Sequence, residues 1–226
     1  CLTHTSGLAQ RYAADGMRTL PEAVFAIAHD TLDTIPGAEF HYSNENYDLL
    51  AAVVEKVSGT PFEAYVRAHE LLPAGMLRSK VWSDVAHPAT PEVAAFTRTL
   101  ESEVFGTNWG YIGSGGLYSC TSDLYAWFHA LRDEAILSPG LLDTLWTPRV
   151  PLSVGSMARG WFISETNGTK EIWTRGNEDW GHNGVVRWFP ERSVLIIVLT
   201  NSGEIGDKNT TGNRILGDAL VDELIR

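Results

Sequence analysis

The sequence predicts an α+β fold, and three observations predict it. Helical periodicity governs the ordered-looking stretches before about residue 150, strand-length apolar runs separated by turn residues fill 155–200, and helical register returns over 209–226. Helices first, then strands, then a closing helix is an α+β order, because alternating βαβ units would interleave the two periods. The 226 residues read as a mainly helical and loop region over 1–150 followed by an antiparallel sheet and a C-terminal helix over 151–226.

Pro21 to Leu32 places apolar residues at Ala23, Val24, Ile27 and Ala28 with proline in the first turn, which predicts a helix closed by Ile35-Pro36-Gly37. From Ser43 a second helix is expected, with Tyr47, Leu50, Ala51, Val54 and Val57 as its buried face and Gly59 as its C-cap. Thr60-Pro61-Phe62-Glu63 reads as a capping box that opens a third helix, Pro61 to Leu72. Ala74 to Thr107 has no sustained period and is expected to form loops with short strands. Beyond Gly113-Ser114-Gly115-Gly116, one helix starts near Thr121 on Leu124, Trp127, Phe128 and Leu131, and another at Ser138-Pro139.

Ala158 to Ser164, Thr169 to Arg175, His182 to Phe189 and Ser193 to Thr200 are the expected strands. Asn167-Gly168 and Pro190-Glu191-Arg192 supply turns between them, so they form an antiparallel meander. The closing helix, Asn209 to Arg226, carries Ile215, Leu216, Ala219, Leu220, Glu223 and Leu224 in register and is expected to pack across that sheet.

A net charge of -11 opposes polyphosphate and anionic surfaces, which argues against nucleic acid as a partner. The longest apolar run, Val194 to Leu199, is far short of the roughly 18 residues a membrane-spanning helix needs. Cys1 and Cys120 form no CxxC pair, so neither a zinc knuckle nor a disulfide framework is read from them. Glu178, Asp179 and His182 lack the spacing of an HExxH site, and neither metal nor cofactor is expected.

Two constellations carry chemistry. Phe40-His41-Tyr42-Ser43-Asn44 places Tyr42 and Asn44 at the mouth of a helix, and Gly181-His182-Asn183-Gly184 opens a strand. By itself each has a plain structural reading: Tyr42 as a packing residue, Asn44 as a helix cap, His182 as a structural histidine. With Cys1-Leu2-Thr3-His4-Thr5-Ser6-Gly7-Leu8 before them and Ser114-Gly115-Gly116-Leu117, Ser119 and Asp123-Leu124 between them, their order becomes informative. The chain resembles the serine β-lactamase and penicillin-binding-protein superfamily, which includes class C β-lactamases, D-aminopeptidases, D-Ala-D-Ala carboxypeptidases and related esterases. The likeness runs on through Phe189-Pro190-Glu191 to Leu199-Thr200-Asn201 and so covers nearly the whole chain.

The resemblance implies a β-lactamase/transpeptidase-like fold and a serine hydrolase that cleaves an ester or amide through an acyl-enzyme, with D-amino-acid peptides among the candidate substrates. Tyr42 would carry the proton, and Asn44 would bind the substrate's carbonyl or amide. The strand bearing His182, Asn183 and Gly184 would lie alongside the substrate, and the Val185 N–H would donate to the oxyanion. Trp180, two residues before His182, and Trp109, near the Gly-rich turn, are expected at the pocket rim from their place in the sequence, and the resemblance implies an extracytoplasmic or periplasmic setting. The substrate is the implied partner, and the oligomeric state is left open. His4 is expected to hold the loop around Thr5 and Ser6, and Ser114 to form a backbone turn, since it lacks the spacing of a nucleophile elbow.

The family's nucleophile sits in a Ser-x-x-Lys turn, and no serine here has a lysine three residues on: the lysines are Lys56, Lys80, Lys170 and Lys208. The expectation is therefore an incomplete β-lactamase-like domain whose Ser-x-x-Lys lies upstream of Cys1, inactive as it stands. A second departure is His182-Asn183-Gly184 where many β-lactamases have Lys-Thr-Gly, which favours the esterase and peptidase relatives. The alternative reading is a non-catalytic binding protein built on the same fold.

Overall fold

A computed structural model describes residues 1–81, 83, 108–177, 182–201 and 212–226. Helix α1 spans Leu20–Ala28 and opens with a capping box in which Thr19 and Glu22 satisfy each other's backbone N–H groups. It ends before the expected Leu32, and Ala23 and Ile27 are the residues it buries. Helix α2 spans Glu45–Ser58 and stops at Gly59, whose φ of 68° is the left-handed cap that the sequence predicts.

The buried face of α2 is only partly the expected one. Ala51 is buried as expected, but so are Glu45, Asn46, Asp48 and Ala52, while Val57 is 82% exposed. Two alanines let neighbouring elements approach closely, and the polar residues are buried because partners on those elements take their hydrogen bonds. Helix α3, Phe62–Val66, runs into a wider π-type turn at Arg67–Leu71. Its expected capping box does not form: the Phe62 N–H is taken by Glu55 Oε2 of α2 at 3.0 Å, and Glu63 accepts the Ser83 N–H.

Strand β1, Lys80–Val81, pairs antiparallel with β2, Leu117–Tyr118. Between them lies α4, Trp109–Ile112. Asp123 ties this region down by accepting from the Arg78 N–H and Ser79 Oγ, both at 2.8 Å. Helices α5, Thr121–Arg132, and α6, Pro139–Trp146, follow as expected.

The rest is one antiparallel meander of β3 (Val150–Pro151), β4 (Ser156–Met157), β5 (Phe162–Thr166), β6 (Thr169–Asn177), β7 (Asn183–Phe189) and β8 (Val194–Thr200), in that spatial order. Where one strand was expected over Ala158 to Ser164, the chain instead turns at Arg159-Gly160 between β4 and β5. Asn167 and Gly168 both have positive φ, 52° and 71°, and join β5 to β6 as the Asn-Gly pair predicts.

The sheet is covered on both faces. Val186 and Trp188 of β7 pack with Phe128, Leu131, Trp161 and Ile172 on the α5–α6 side. Val185 and Phe189 pack with Ile196, Val198, Val221 and Ile225 on the side of α7, Gly212–Leu224. Burial on both faces explains why β8 reads as an unbroken apolar run.

Helix α7 meets the sheet through Asn213, Gly217 and Val221, with Ile225 just beyond its end. These residues are spaced by four and form a single ridge. Leu216, on the face expected to be buried, is 52% exposed. A Cβ at Gly217 would stand 3.5 Å from Val185 Cγ1 and 3.7 Å from Arg187 Nη1, ordinary contact distances that place this point of the helix directly against β7. Arg187 there bridges Glu171 at 2.5 Å and Asp218 at 2.7 Å.

Candidate active site

Residues 4–9 run beside 37–46, and their contacts build the first part of the site. The His41 N–H donates to His4 O and the Gly37 N–H to Thr5 O, both at 2.7 Å. Beneath them lies a buried polar layer. Ser6 Oγ donates to Asn46 Oδ1 at 2.6 Å, and Asn46 Nδ2 donates to Ser43 O at 3.2 Å. Ser43 Oγ lies 2.9 Å from Ala9 O and 2.7 Å from Glu45 Oε2. The other Glu45 oxygen accepts the N–H groups of Arg11 and Ala13 at 3.0 and 3.1 Å. Buried polar groups destabilise a fold unless paired, and here the pairing makes a firm floor under Tyr42 and Asn44.

Gly7 is needed in this layer. Its φ is 79°, and a Cβ there would lie 2.2 Å from Thr34 O. His4 is buried, and its Nδ1 accepts the Ser43 N–H at 3.3 Å. Burial lowers its pKa to about 4, against the opposing effect of the Ser43 bond, so the ring is neutral at ordinary pH. The side chain thus holds Ser43 in place of the loop around Thr5 and Ser6 that sequence reasoning assigned to it.

Tyr42 is half-exposed on top of this layer. Asn44 stands at the mouth of α2 with helical backbone angles and makes no side-chain capping bond, so the plain reading of it as a helix cap does not hold. Its own N–H is bound by Gln10 Oε1 at 2.5 Å. Tyr47, one turn on, has its phenol pushed up to about 12 by burial and secondarily by Tyr42.

The Gly-rich segment connects this part to the sheet. A Cβ at Gly113 would fall 2.3 Å from Tyr47 O, so the turn sits directly against α2. Asp48 Oδ1 accepts the Ser114 N–H at 3.0 Å, and Ser114 Oγ donates to Gly110 O at 2.9 Å. Ser114 is a turn residue, as its spacing suggests. The chain then enters β2, where the Tyr118 ring meets that of His182 edge-on, centroids 6.1 Å apart. His182 and the Tyr42 segment are thereby linked through 113–118 and α2.

His182 precedes β7, and Asn183 is buried at its first position, opposite Asn177 and Thr200. Gly184 lies opposite Gly176 and Leu199, and Val185 opposite Arg175 and Val198. β7 is therefore an interior strand at these positions, with β6 on one side and β8 on the other, as the expected meander places it. Val185 also lines a cavity of about 400 Å³ on the α7 side with Trp173, Arg175 and Arg187. Trp180 lies outside the described residues. Trp109, expected at a rim, is only 4% exposed and packs in the core with Ala14, Ala23, Ile27 and Ala51. Among the described residues no group of three or more His, Cys, Asp or Glu is placed to hold a metal ion, and no helix is long and apolar enough to cross a membrane.

Sequence reasoning passed over Gln10, Asn46, Asp48 and Tyr118. Asp48 follows Asn44 by one helical turn, a spacing that signals a shared face, but the helix was read by its apolar residues.

Helices on both faces of an antiparallel sheet, with Tyr-x-Asn at a helix mouth and His-x-Gly at the head of a sheet strand, define a β-lactamase/transpeptidase-type fold. The chain belongs to the beta-lactamase family, which it matches over residues 2–220. It is 29% identical over 150 residues to the putative penicillin-binding protein PbpX of Bacillus subtilis, covering 65% of this chain and 38% of that protein. It is 25% identical over 230 residues to penicillin-binding protein 4* of the same organism, covering 90% of this chain and 51% of that protein. The chain thus spans about half or less of the length of these curated relatives. Among crystal structures, a penicillin-binding protein from Bacillus halodurans superposes with a TM-score of 0.79 at 24% identity, over 98% of this chain and 72% of that one. The D-amino acid amidase of Ochrobactrum anthropi SV3, in complex with D-phenylalanine, superposes with a TM-score of 0.76 at 19% identity, over 98% of this chain and 70% of that one.

Proposed function

We propose that this chain is the tyrosine- and asparagine-bearing part of a serine hydrolase that cleaves an ester or amide through an acyl-enzyme, and that the Ser-x-x-Lys nucleophile is supplied from outside these 226 residues. The observation that carries the proposal is the buried layer under Tyr42 and Asn44, which leaves the phenol half-exposed and the Asn44 side chain unused as a cap. A phenol accepts a proton near neutrality only beside a cation. The lysine of Ser-x-x-Lys is that cation in this reading, and Asn44 binds the acyl substrate's carbonyl or amide. His182, Asn183 and Gly184 form the facing wall in this reading. An oxyanion role for the Val185 N–H requires that amide to turn from the register it shares with Arg175 and Val198. Likeness to penicillin-binding proteins and to a D-amino acid amidase supports amides of D-amino acids as the substrate class.

The test uses the full gene product incubated with p-nitrophenyl acetate and with a fluorescent penicillin, followed by mass spectrometry of the protein. A covalent acyl adduct on a serine of a Ser-x-x-Lys turn is expected, and Tyr42→Phe is expected to slow its formation by about 100-fold or more. Unchanged acylation in that variant would remove Tyr42 from the mechanism. The rival reading is a non-catalytic binding protein on the same fold. A full gene product that encodes no such turn and forms no adduct would establish it.

A further inference from the structure

His4 meets the segment 41–43 at three points. Its carbonyl accepts the His41 N–H at 2.7 Å, its Nδ1 accepts the Ser43 N–H at 3.3 Å, and its ring lies against that of Tyr42 with centroids 4.4 Å apart and planes inclined by 30°. The residues on either side of Tyr42 are thus both bonded to the residue its ring rests on.

The His4 ring is itself held. Tyr47 and Phe40 stand 5.2 and 5.7 Å from it, and it is 3% exposed while Tyr42 is 51% exposed. Acceptance at Nδ1 places the proton of the neutral ring on Nε2. His4 also keeps a left-handed backbone, φ 52°, a conformation sparsely populated by residues with a side chain. Strain of this kind persists where surrounding contacts over-determine it, and the contacts doing so here are those to 41–43 and Asn46.

An exposed tyrosine on a loop samples several χ1 wells and spreads its hydroxyl over many ångströms. Anchoring the backbone on both sides and seating the ring on a fixed ring removes most of that freedom. We propose that His4 is a positioning residue for Tyr42: it sets where the phenol stands at the mouth of α2 and acts through Tyr42, without touching substrate. Its effect on catalysis rests on the role given to Tyr42 above, whereas its hold on Tyr42 does not.

The experiment has two arms, both on the full gene product. The first is NMR with 13C-labelled tyrosine and histidine rings. Nuclear Overhauser contacts between the His4 and Tyr42 rings are expected in the parent, and the Tyr42 ring signals are expected to lose the histidine ring-current shift in His4→Asn. Asparagine tolerates the left-handed backbone and retains an acceptor, but has no ring; His4→Phe keeps a ring and loses the acceptor. Missing contacts in the parent, a measurement that needs no variant to fold, would overturn the proposal.

The second arm measures acylation by p-nitrophenyl acetate in both variants. A fall of about ten-fold or more in kcat with KM nearly unchanged is expected, because orientation is lost while binding is not. A folded His4→Asn that acylates within about two-fold of the parent, with Tyr42 signals unmoved, would also overturn it. Tyr42→Phe run in parallel separates the two ideas. If it acylates at the parent rate, the proton-carrier reading fails, and the NMR arm alone decides whether His4 holds Tyr42.

Discussion

Asp48 Oδ1 accepts the backbone N–H of Ser114 at 3.0 Å, joining the second helix to the Gly-rich turn 66 positions further along the chain. Burial pushes this carboxyl up to about 7; the Ser114 bonds pull it down and the charge of Glu45 pushes it further up. The folded protein therefore keeps the proton to a higher pH than the unfolded chain, which releases it near 4. Stability from this group is present at low pH and is lost as pH rises from about 4 to about 7. Asp48→Asn keeps an acceptor for Ser114 and removes the charge. Relative to the parent, it is expected to gain up to about 4 kcal/mol between pH 4 and pH 8, measured by urea unfolding at both. Parallel pH profiles for the two proteins would exclude Asp48 as the titrating group.

His4 contributes with the opposite sign. Its pKa falls from the ordinary 6.5 to about 4 on folding, so between those values the unfolded state binds the extra proton. Stability is expected to decline as pH falls from about 6.5 to about 4, by at most about 3 kcal/mol from this residue. His4→Asn should flatten the unfolding free energy across that window once the Asp48 contribution has been removed in a common Asp48→Asn background. A slope left intact there would mean that His4 does not stay neutral when folded.

Gly7 and Gly16 make a matched pair. Both have positive φ, 79° and 76°, but a Cβ at Gly7 would lie 2.2 Å from Thr34 O, whereas one at Gly16 would meet nothing within 4 Å. Gly16→Ala is expected to cost about 1 kcal/mol, the ordinary left-handed penalty. Gly7→Ala should cost at least about 2 kcal/mol more, since backbone must move. Chemical denaturation of both variants checks this, and equal costs would mean that residues 7 and 34 are further apart than described.

The last helix is tested by substitutions on its two faces. Val221→Ala, at a buried contact with the sheet, is expected to cost about 1–3 kcal/mol. Leu216→Ser and Leu220→Ser, on the exposed side, should each change stability by less than about 0.5 kcal/mol. A larger effect of Leu216→Ser in the full gene product would show that this face is covered there.

Much of the architecture was legible because local chemistry dictated it. Asn167-Gly168 takes positive φ at both residues, as this pair favours in a two-residue hairpin turn, and Gly59 and Pro139 mark helix ends by their own steric limits. Tyr42 and Asn44 could be picked out because their motif lies within three residues of one another at a helix start. The faces of α1 and α5 were legible, Ala23 and Ile27 in one and Phe128 and Leu131 in the other, but those of α2 and α7 were not. Periodicity finds the most apolar side, yet α2 buries Glu45, Asn46 and Asp48, and α7 buries Asn213 and Gly217. Polar side chains can be buried once distant groups such as the N–H of Arg11 or Ser114 take their hydrogen bonds, and no local window contains those groups.

The amino-acid order alone was enough for the succession of helices before the sheet and for the Asn167-Gly168 and Pro190-Glu191-Arg192 turns, though not for the one at Arg159-Gly160, because the former depend on backbone preferences a few residues long. Packing alone settled that the His4 ring lies against that of Tyr42, that Trp109 is core and that α2 and α7 bury polar or small residues. Those facts depend on which segments come within van der Waals and hydrogen-bond distance after folding, and that distance is set by the packing of the whole chain.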